Sequence, residues 1–431
     1  MFHFFKKKTY QPTITNEDKE WLENTFIWLI TSFGYDRLKS TPFLVANYET
    51  FPYTNIHSDE QFQQLFLQLC AQWEVTPDDI LIKIFDDNNT REWTRWVVTE
   101  GSTNAGLYRQ ILTTDTKRFH IELARSIFSE PEYLITVLAH ELAHVKLLGG
   151  NYLKSDEPDM EQFTELTCIY FGFGVMMANT TQTKELTRLN AGYLPNQLIS
   201  YANALICFIT QHNPENYYSI LNGNTKDLFK RDFEYLSHTH DTLLTPEKIA
   251  ASDKTYHINK NVETSFNNHN FEDAIMFCNH LLELDSKNVA ALNALGYALL
   301  MKKEYSEAIK WFNHAIDQDP YWDYPYNNRG YCKLQLGDCE GAYIDLMHSF
   351  EMNPENSFSH RNLGAYYLMT ENYEKALEYF ENTEKRDPKT EMINFYLAVT
   401  HHKMGNEEAS QKHLSKSKES NEYNDSIIVF P

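Results

Sequence analysis

The sequence predicts two domains of different class, an α+β domain over residues 1–250 and an all-α solenoid over residues 255–424. Three observations carry that prediction. The first half mixes period-two alternation with amphipathic helical stretches, the second half repeats itself every 34 residues, and one helix of the first half contains His140-Glu141-Leu142-Ala143-His144. A chain of 431 residues also exceeds what one hydrophobic core ordinarily spans, so two cores are expected.

Asn16 to Phe33 has the apolar spacing of an amphipathic helix, and Asp59 to Glu74 forms a second, with Phe62, Leu65, Phe66, Leu69 and Trp73 on its apolar side. Asp79-Ile-Leu-Ile-Lys-Ile-Phe alternates with period two and reads as a strand ending at the turn-like Asp86-Asp-Asn-Asn; Phe119-His-Ile-Glu-Leu reads as another. A helix follows. Ser129 ahead of Pro131 marks its start, Glu132 lies in its first turn, and the apolar run Tyr133 to Leu148 stops at Gly149-Gly150. Leu166 to Met177 is almost wholly apolar and predicts a buried helix, in which Gly172 and Gly174 permit close packing. Leu186 to Asn196 and Leu198 to Thr210 predict two more helices, and the polar stretch Asp241 to Asp253 marks the domain boundary.

On the helix that starts at Pro131, His140 and His144 lie four residues apart and share a face, so both imidazoles can hold one metal ion. Glu141 stands beside them without joining them. That arrangement suits zinc: two imidazoles bind it, an open position holds water, and the carboxylate takes the water's proton. A third ligand is expected on the next helix, where Asp159-Met-Glu161-Gln-Phe-Thr-Glu165 supplies carboxylates.

These residues resemble the gluzincin branch of the zinc metallopeptidases, which carries a downstream Glu-x-x-x-Asp. The resemblance implies a zincin-like fold, Zn2+ as cofactor, His140, His144 and Glu161 as metal ligands, Glu141 as the catalytic base, and Glu165 as the carboxylate that orients a ligating histidine. This chain has glutamate at Glu165 where that family has aspartate, which leaves open the reversed assignment with Glu165 as ligand and Asp159 or Glu161 behind it. Tyr152, Tyr193, His238 and His240 are available as oxyanion donors, but no pattern selects one. His238-Thr-His240-Asp241 also has metal-ligand residue types, in a polar setting that favours a solvated loop, and Cys168 reads as a small buried residue.

In the second half, Gly296, Gly330 and Gly364 recur at a fixed interval that Ala398 continues; Ala274, Ala308, Ala342 and Ala376 keep the same step, as do Pro320, Pro354 and Pro388. Small residues let the two helices of a hairpin approach closely, and proline stops the second helix. Leu292-Asn-Ala-Leu-Gly-Tyr-Ala-Leu-Leu and Tyr305-Ser-Glu-Ala-Ile-Lys-Trp-Phe are two such helical stretches joined by a polar turn. This half resembles the tetratricopeptide repeat (TPR) family, with about five repeats between Thr255 and Glu422. Its departures lie at the ends, where Ser286 replaces the closing proline and Ser410 the alanine. The resemblance implies a groove that takes a protein or peptide ligand.

The formal net charge of -22 argues against a nucleic-acid-binding surface, which needs a concentrated basic face. The six cysteines stand singly, as buried thiols of a reducing compartment do. Aromatic residues precede Lys6-Lys7-Lys8, the wrong order for a secretory signal, and no apolar run reaches the roughly 20 residues that span a bilayer. A cytoplasmic location without membrane contact is the expectation. The expected function is a zinc-dependent hydrolase, a peptidase whose repeats recruit a protein; the alternative is a non-catalytic TPR scaffold or regulatory protein carrying a structural or degenerate zincin domain.

Overall fold

The computed structural model describes residues 10–40, 43–47, 49–52, 56, 58–85, 106–110, 119–150, 152–153, 157–180 and 194–419. Lys6 to Lys8, the turn at Asp86, Tyr193 and all but the end of the helix expected from Leu186 lie outside them. The chain forms two compact units that divide between Tyr256 and His257, within a single helix. Among the described residues, no helix is long and apolar enough to cross a membrane.

In the first unit, α1 (Asn16–Phe33) starts where the Thr15 hydroxyl accepts the Asp18 amide and stops at Gly34, whose φ of 85° suits a residue without Cβ. Short α2 (Tyr35–Ser40) follows, then α3 (Asp59–Trp73), capped by the Ser58 side chain and closed by Glu74 in the left-handed region. Among the described residues, three strands make a mixed sheet of order β1-β3-β2, with β1 (Ile80–Phe85) parallel and β2 (Gly106–Gln110) antiparallel to β3 (Phe119–Ala124). Nothing beyond this small sheet supports the expected α+β zincin-like domain, because helices supply most of this unit. They are α4 (Pro131–Gly149), α5 (Met160–Cys168), α6 (Gly174–Thr180), α7 (Asn196–Thr210), α8 (Pro214–Ile220), α9 (Gly223–Thr239) and the start of α10 (Pro246–Asn267). Leu22, Phe26, Trp73, Leu138, Tyr170, Phe173, Tyr201 and Phe229 are among the buried side chains of one continuous core.

Two sequence expectations change here. Ser129 does not cap α4: its hydroxyl donates to the Ser126 carbonyl in a short 3-10 turn, and Glu130 occupies the cap position without a side-chain bond. The apolar segment after Glu165 is not one helix either. It kinks at Gly172 (φ 98°), whose carbonyl accepts the Leu44 amide at 2.8 Å, and α6 begins beyond the kink. Gly174 then lies against Asn203 of α7, whose side-chain amide donates to the Gly174 carbonyl at 3.1 Å.

The second unit is built from helical hairpins. The first helices of the pairs are the end of α10, α12 (Val289–Met301), α14 (Asp323–Gln335), α16 (Ser357–Met369) and α18 (Ile393–Lys403). The second helices are α11 (Phe271–Leu284), α13 (Tyr305–Gln318), α15 (Cys339–Met352), α17 (Tyr373–Arg386) and α19 (Glu407–Glu419), and their starting positions advance by 34 each time. The glycine series has a direct cause. A Cβ on Gly296 would sit 2.6 Å from the Phe312 ring, and one on Gly364 2.5 Å from Phe380, both rings being fully buried. Ala274, Ala308, Ala342 and Ala376 are all without exposed surface. In the last hairpin the departure is satisfied locally: the buried Ser410 hydroxyl donates to the Ala398 carbonyl at 2.9 Å.

Candidate metal centre

Helix α4 carries Pro131 at its first position, where the missing N–H costs nothing, and is apolar on nearly every side, so it is buried along most of its length. Its C-terminal turn lies against β3, where a Cβ on Gly149 would meet the Phe119 ring at 2.7 Å. Helix α5 packs beside α4 and places Glu161 in its first turn.

This packing brings His140, His144 and Glu161 together. His140 Nε2 lies 3.1 Å from Glu161 Oε2 and 3.2 Å from His144 Nε2, and the third edge, His144 Nε2 to Glu161 Oε2, is 3.3 Å. Donors about 2.0–2.1 Å from zinc at the corners of a tetrahedron stand about 3.3–3.4 Å apart, so the three atoms fit three of its corners. Two nitrogens and one carboxylate oxygen are also a donor set that zinc accepts. The histidine side chains are 13% and 8% exposed and the Glu161 side chain 30%, which leaves the carboxylate edge nearest to solvent.

The electrostatics fit the same grouping. Burial favours neutral His140, but the hydrogen bond it donates to Glu161 and the charges of Glu141, Glu161 and Glu165 outweigh it and raise its pKa. Burial lowers His144, with the His140 charge adding to it. Glu161 is held well below the usual carboxylate range because its close contacts with both histidines overcome its burial. A proton on His140 and a divalent cation are thus alternative ways of neutralising one cluster of carboxylates.

Each remaining sequence candidate has a definite place. Glu141 is 2% exposed and follows His140 on α4, where its charge acts on that ring. Glu165 is also buried, and its Oε2 accepts the Leu194 amide at 2.7 Å, tying the start of α7 to α5; Glu161 supplies the carboxylate oxygen of the triangle. Asp159 is the N-cap residue of α5 without a side-chain cap bond. Burial, then the charges of Glu165 and Glu141, push the Cys168 thiol far up, so it stays protonated. Tyr152 packs its ring 4.7 Å from Phe33. His238 stacks on Tyr10 at 4.1 Å, His240 ends α9 with its ring near Phe208, and Asp241 pairs with Lys19 at 3.2 Å, so this trio is dispersed into separate contacts. Sequence reasoning passed over Thr164, whose hydroxyl lies 3.3 Å from His144 Nδ1; nothing in the chain marks it except its position between Glu161 and Glu165.

A second cluster lies along the first helices of the repeats and the turn that precedes α18. Arg361 donates to the Glu391 carbonyl at 3.1 Å, the Tyr297 hydroxyl lies 3.4 Å from the Glu391 carboxylate, and Tyr331 and Tyr396 meet through their hydroxyls at 3.3 Å.

Residues 266–321 match the tetratricopeptide repeat family. No curated protein matches the chain. Among solved structures, a MamA protein is 18% identical, with 40% of this chain and 95% of that one covered at a TM-score of 0.29. MamA from Desulfovibrio magneticus RS-1 is 18% identical over 40% and 98% of the two chains, at a TM-score of 0.31. YrrB, described as a TPR protein with an unusual peptide-binding site, is 19% identical over 43% and 90%, at a TM-score of 0.28. Likenesses this distant carry no argument about function. The family match assigns tetratricopeptide repeats to residues 266–321, and the constant step of the second helices carries the same repeat from Phe271 to Glu419.

Proposed function

We propose that this protein is a repeat scaffold that holds a protein or peptide partner, and that its first unit carries a zinc site at His140, His144 and Glu161. The observation that carries the scaffold reading is the unbroken 34-residue advance of the five second helices of the hairpins, together with the family match over residues 266–321. Stacked hairpins of this kind present an extended row of first helices, and an extended segment binds such a row with little rearrangement. Tyr297, Tyr331 and Arg361 lie on that row and offer aromatic surface and a planar cationic donor. The test compares the partners retained by the full chain with those retained by Tyr331→Ala and Arg361→Ala. Loss of partners in these variants and their retention in Glu141→Gln supports the scaffold; the opposite pattern overturns it.

A second reading, a zinc-dependent hydrolase acting on peptides, is favoured by one observation: a buried carboxylate, Glu141, stands immediately beside the three-donor cluster. When bound, zinc supplies a Lewis acid that polarises a carbonyl and acidifies water. His140, His144 and Glu161 would hold it. Glu141, too far round the helix to act as a ligand, would accept the water's proton on its carboxylate and deliver it to the departing amine. Metal content and peptide hydrolysis measured in wild type, Glu141→Gln and His140→Ala decide this reading. Glu141→Gln keeps the metal and loses hydrolysis by about 100-fold or more, whereas His140→Ala loses the metal; unchanged zinc in His140→Ala overturns the site itself.

A further inference from the structure

We infer that Thr164 is a positioning residue for the metal centre: its hydroxyl fixes the proton of His144 on Nδ1 and so presents the Nε2 lone pair to the metal. The inference rests on the reading of His140, His144 and Glu161 as ligands and adds to it a residue that no ligand motif contains. His144 enters the triangle through Nε2, 3.2 Å from His140 Nε2 and 3.3 Å from Glu161 Oε2. A ring nitrogen binds a metal only with its lone pair, so the proton of the neutral ring has to sit on the other nitrogen. That nitrogen, Nδ1, faces Thr164 Oγ1 at 3.3 Å.

The direction of this bond follows from what else the hydroxyl does. Thr164 has one hydroxyl hydrogen, and it is directed to the Met160 carbonyl at 2.7 Å, one turn back on α5. Oγ1 therefore offers Nδ1 a lone pair and no proton. An Nδ1 lone pair in that position would be repelled, whereas an Nδ1–H group is accepted. Thr164 has no exposed surface, so bulk water does not substitute for it. Because Thr164 follows Glu161 by three residues on one helix, a single element delivers both the ligand oxygen and the group that orients the neighbouring ligand. Glu165, the residue expected to orient a histidine, accepts the Leu194 amide through Oε2.

The experiment uses the full chain, with Thr164→Val to remove the hydroxyl at nearly constant shape and Thr164→Ser to restore it. Zinc affinity is measured by chelator competition, and the His144 tautomer in the metal-free protein by ring 15N shifts, assigned with His144→Ala. The expected result is an Nδ1-protonated ring in wild type, a redistributed tautomer and about 10–100-fold weaker zinc binding in Thr164→Val, and recovery in Thr164→Ser. Equal zinc affinity in wild type and Thr164→Val overturns the inference, as does a wild-type ring protonated on Nε2. That last measurement needs no variant and decides the matter even if Thr164→Val does not fold. If wild type itself binds no zinc, the metal reading fails, while the tautomer comparison still decides what Thr164 does to His144.

Discussion

Asp232 on α9 is a buried carboxylate that accepts both the amide and the hydroxyl of Thr13 at 2.7 Å. Burial outweighs these two bonds and pushes its pKa from 3.8 up to about 6. The folded protein therefore holds this proton more tightly than the unfolded chain. Its stabilising contribution is complete below the unfolded value of 3.8 and is lost as the pH rises through about 6. Such a shift corresponds to about 3 kcal/mol across the window. Asp232→Asn keeps one acceptor and does not titrate, so urea unfolding should show the variant gaining on wild type by about 1–3 kcal/mol between about pH 4 and about pH 7; parallel profiles would contradict the assignment. At the metal centre, residue types were legible and partners were not. His140 and His144 share a face through helical spacing, whereas Glu161 is singled out only by the family resemblance, because Glu161, Thr164 and Glu165 all stand within about one turn of α5. Which of them reaches α4 is set by the packing of the two helices.

Hairpin packing explains why two kinds of glycine respond differently to the same change. Gly364 lies in α16 with the buried Phe380 ring where its Cβ would be, so Gly364→Ala has to push α16 and α17 apart, at about 1–3 kcal/mol. Gly337 has open space around it and a φ of 83°, so Gly337→Ala meets only backbone strain of about 1 kcal/mol. Thermal unfolding should place Gly364→Ala below Gly337→Ala, and the reverse order would remove close approach as the cause of the glycine period. The middle hairpin departs from its neighbours: where they have Leu295 and Trp311, or Leu363 and Tyr379, at the equivalent positions, it pairs Arg329 with Asp345 through two 2.7 Å bonds, and Lys333 adds a third contact at 2.8 Å. Asp345 is 3% exposed. Removing it alone strands two cations, so Asp345→Ala should cost about 3 kcal/mol, and the double change Arg329→Leu with Asp345→Tyr should recover most of that in denaturant unfolding. A double variant as unstable as the single one would show that the apolar pair of the next repeat cannot replace the ionic one.

At the scale of the whole molecule, the two units make separable predictions. On the proposed site, zinc held by α4 and α5 would stabilise the folded state in proportion to the logarithm of its concentration, by about 2.7 kcal/mol at 100 times its Kd. Hydrogen exchange should slow in Pro131–Gly149 and Met160–Cys168 when zinc is added, and His140→Ala with His144→Ala should abolish the change. Slowing confined to the repeat helices would place the ion elsewhere. By itself the sequence determined the repeat half almost completely. Each hairpin contacts its neighbours at constant separations, so Gly296, Ala308 and Pro320 and their successors write that packing as a period along the chain. It also determined α1, from Asn16 to Phe33, through its apolar spacing, and the two strands that alternate. Tertiary structure alone decided that β2 joins the sheet, that Gly172 breaks the segment after Glu165, and that Glu161 and Thr164 lie against the histidines. The physical reason is that these choices depend on contacts between elements with no fixed spacing in the chain, which three-dimensional packing sets and local periodicity does not encode.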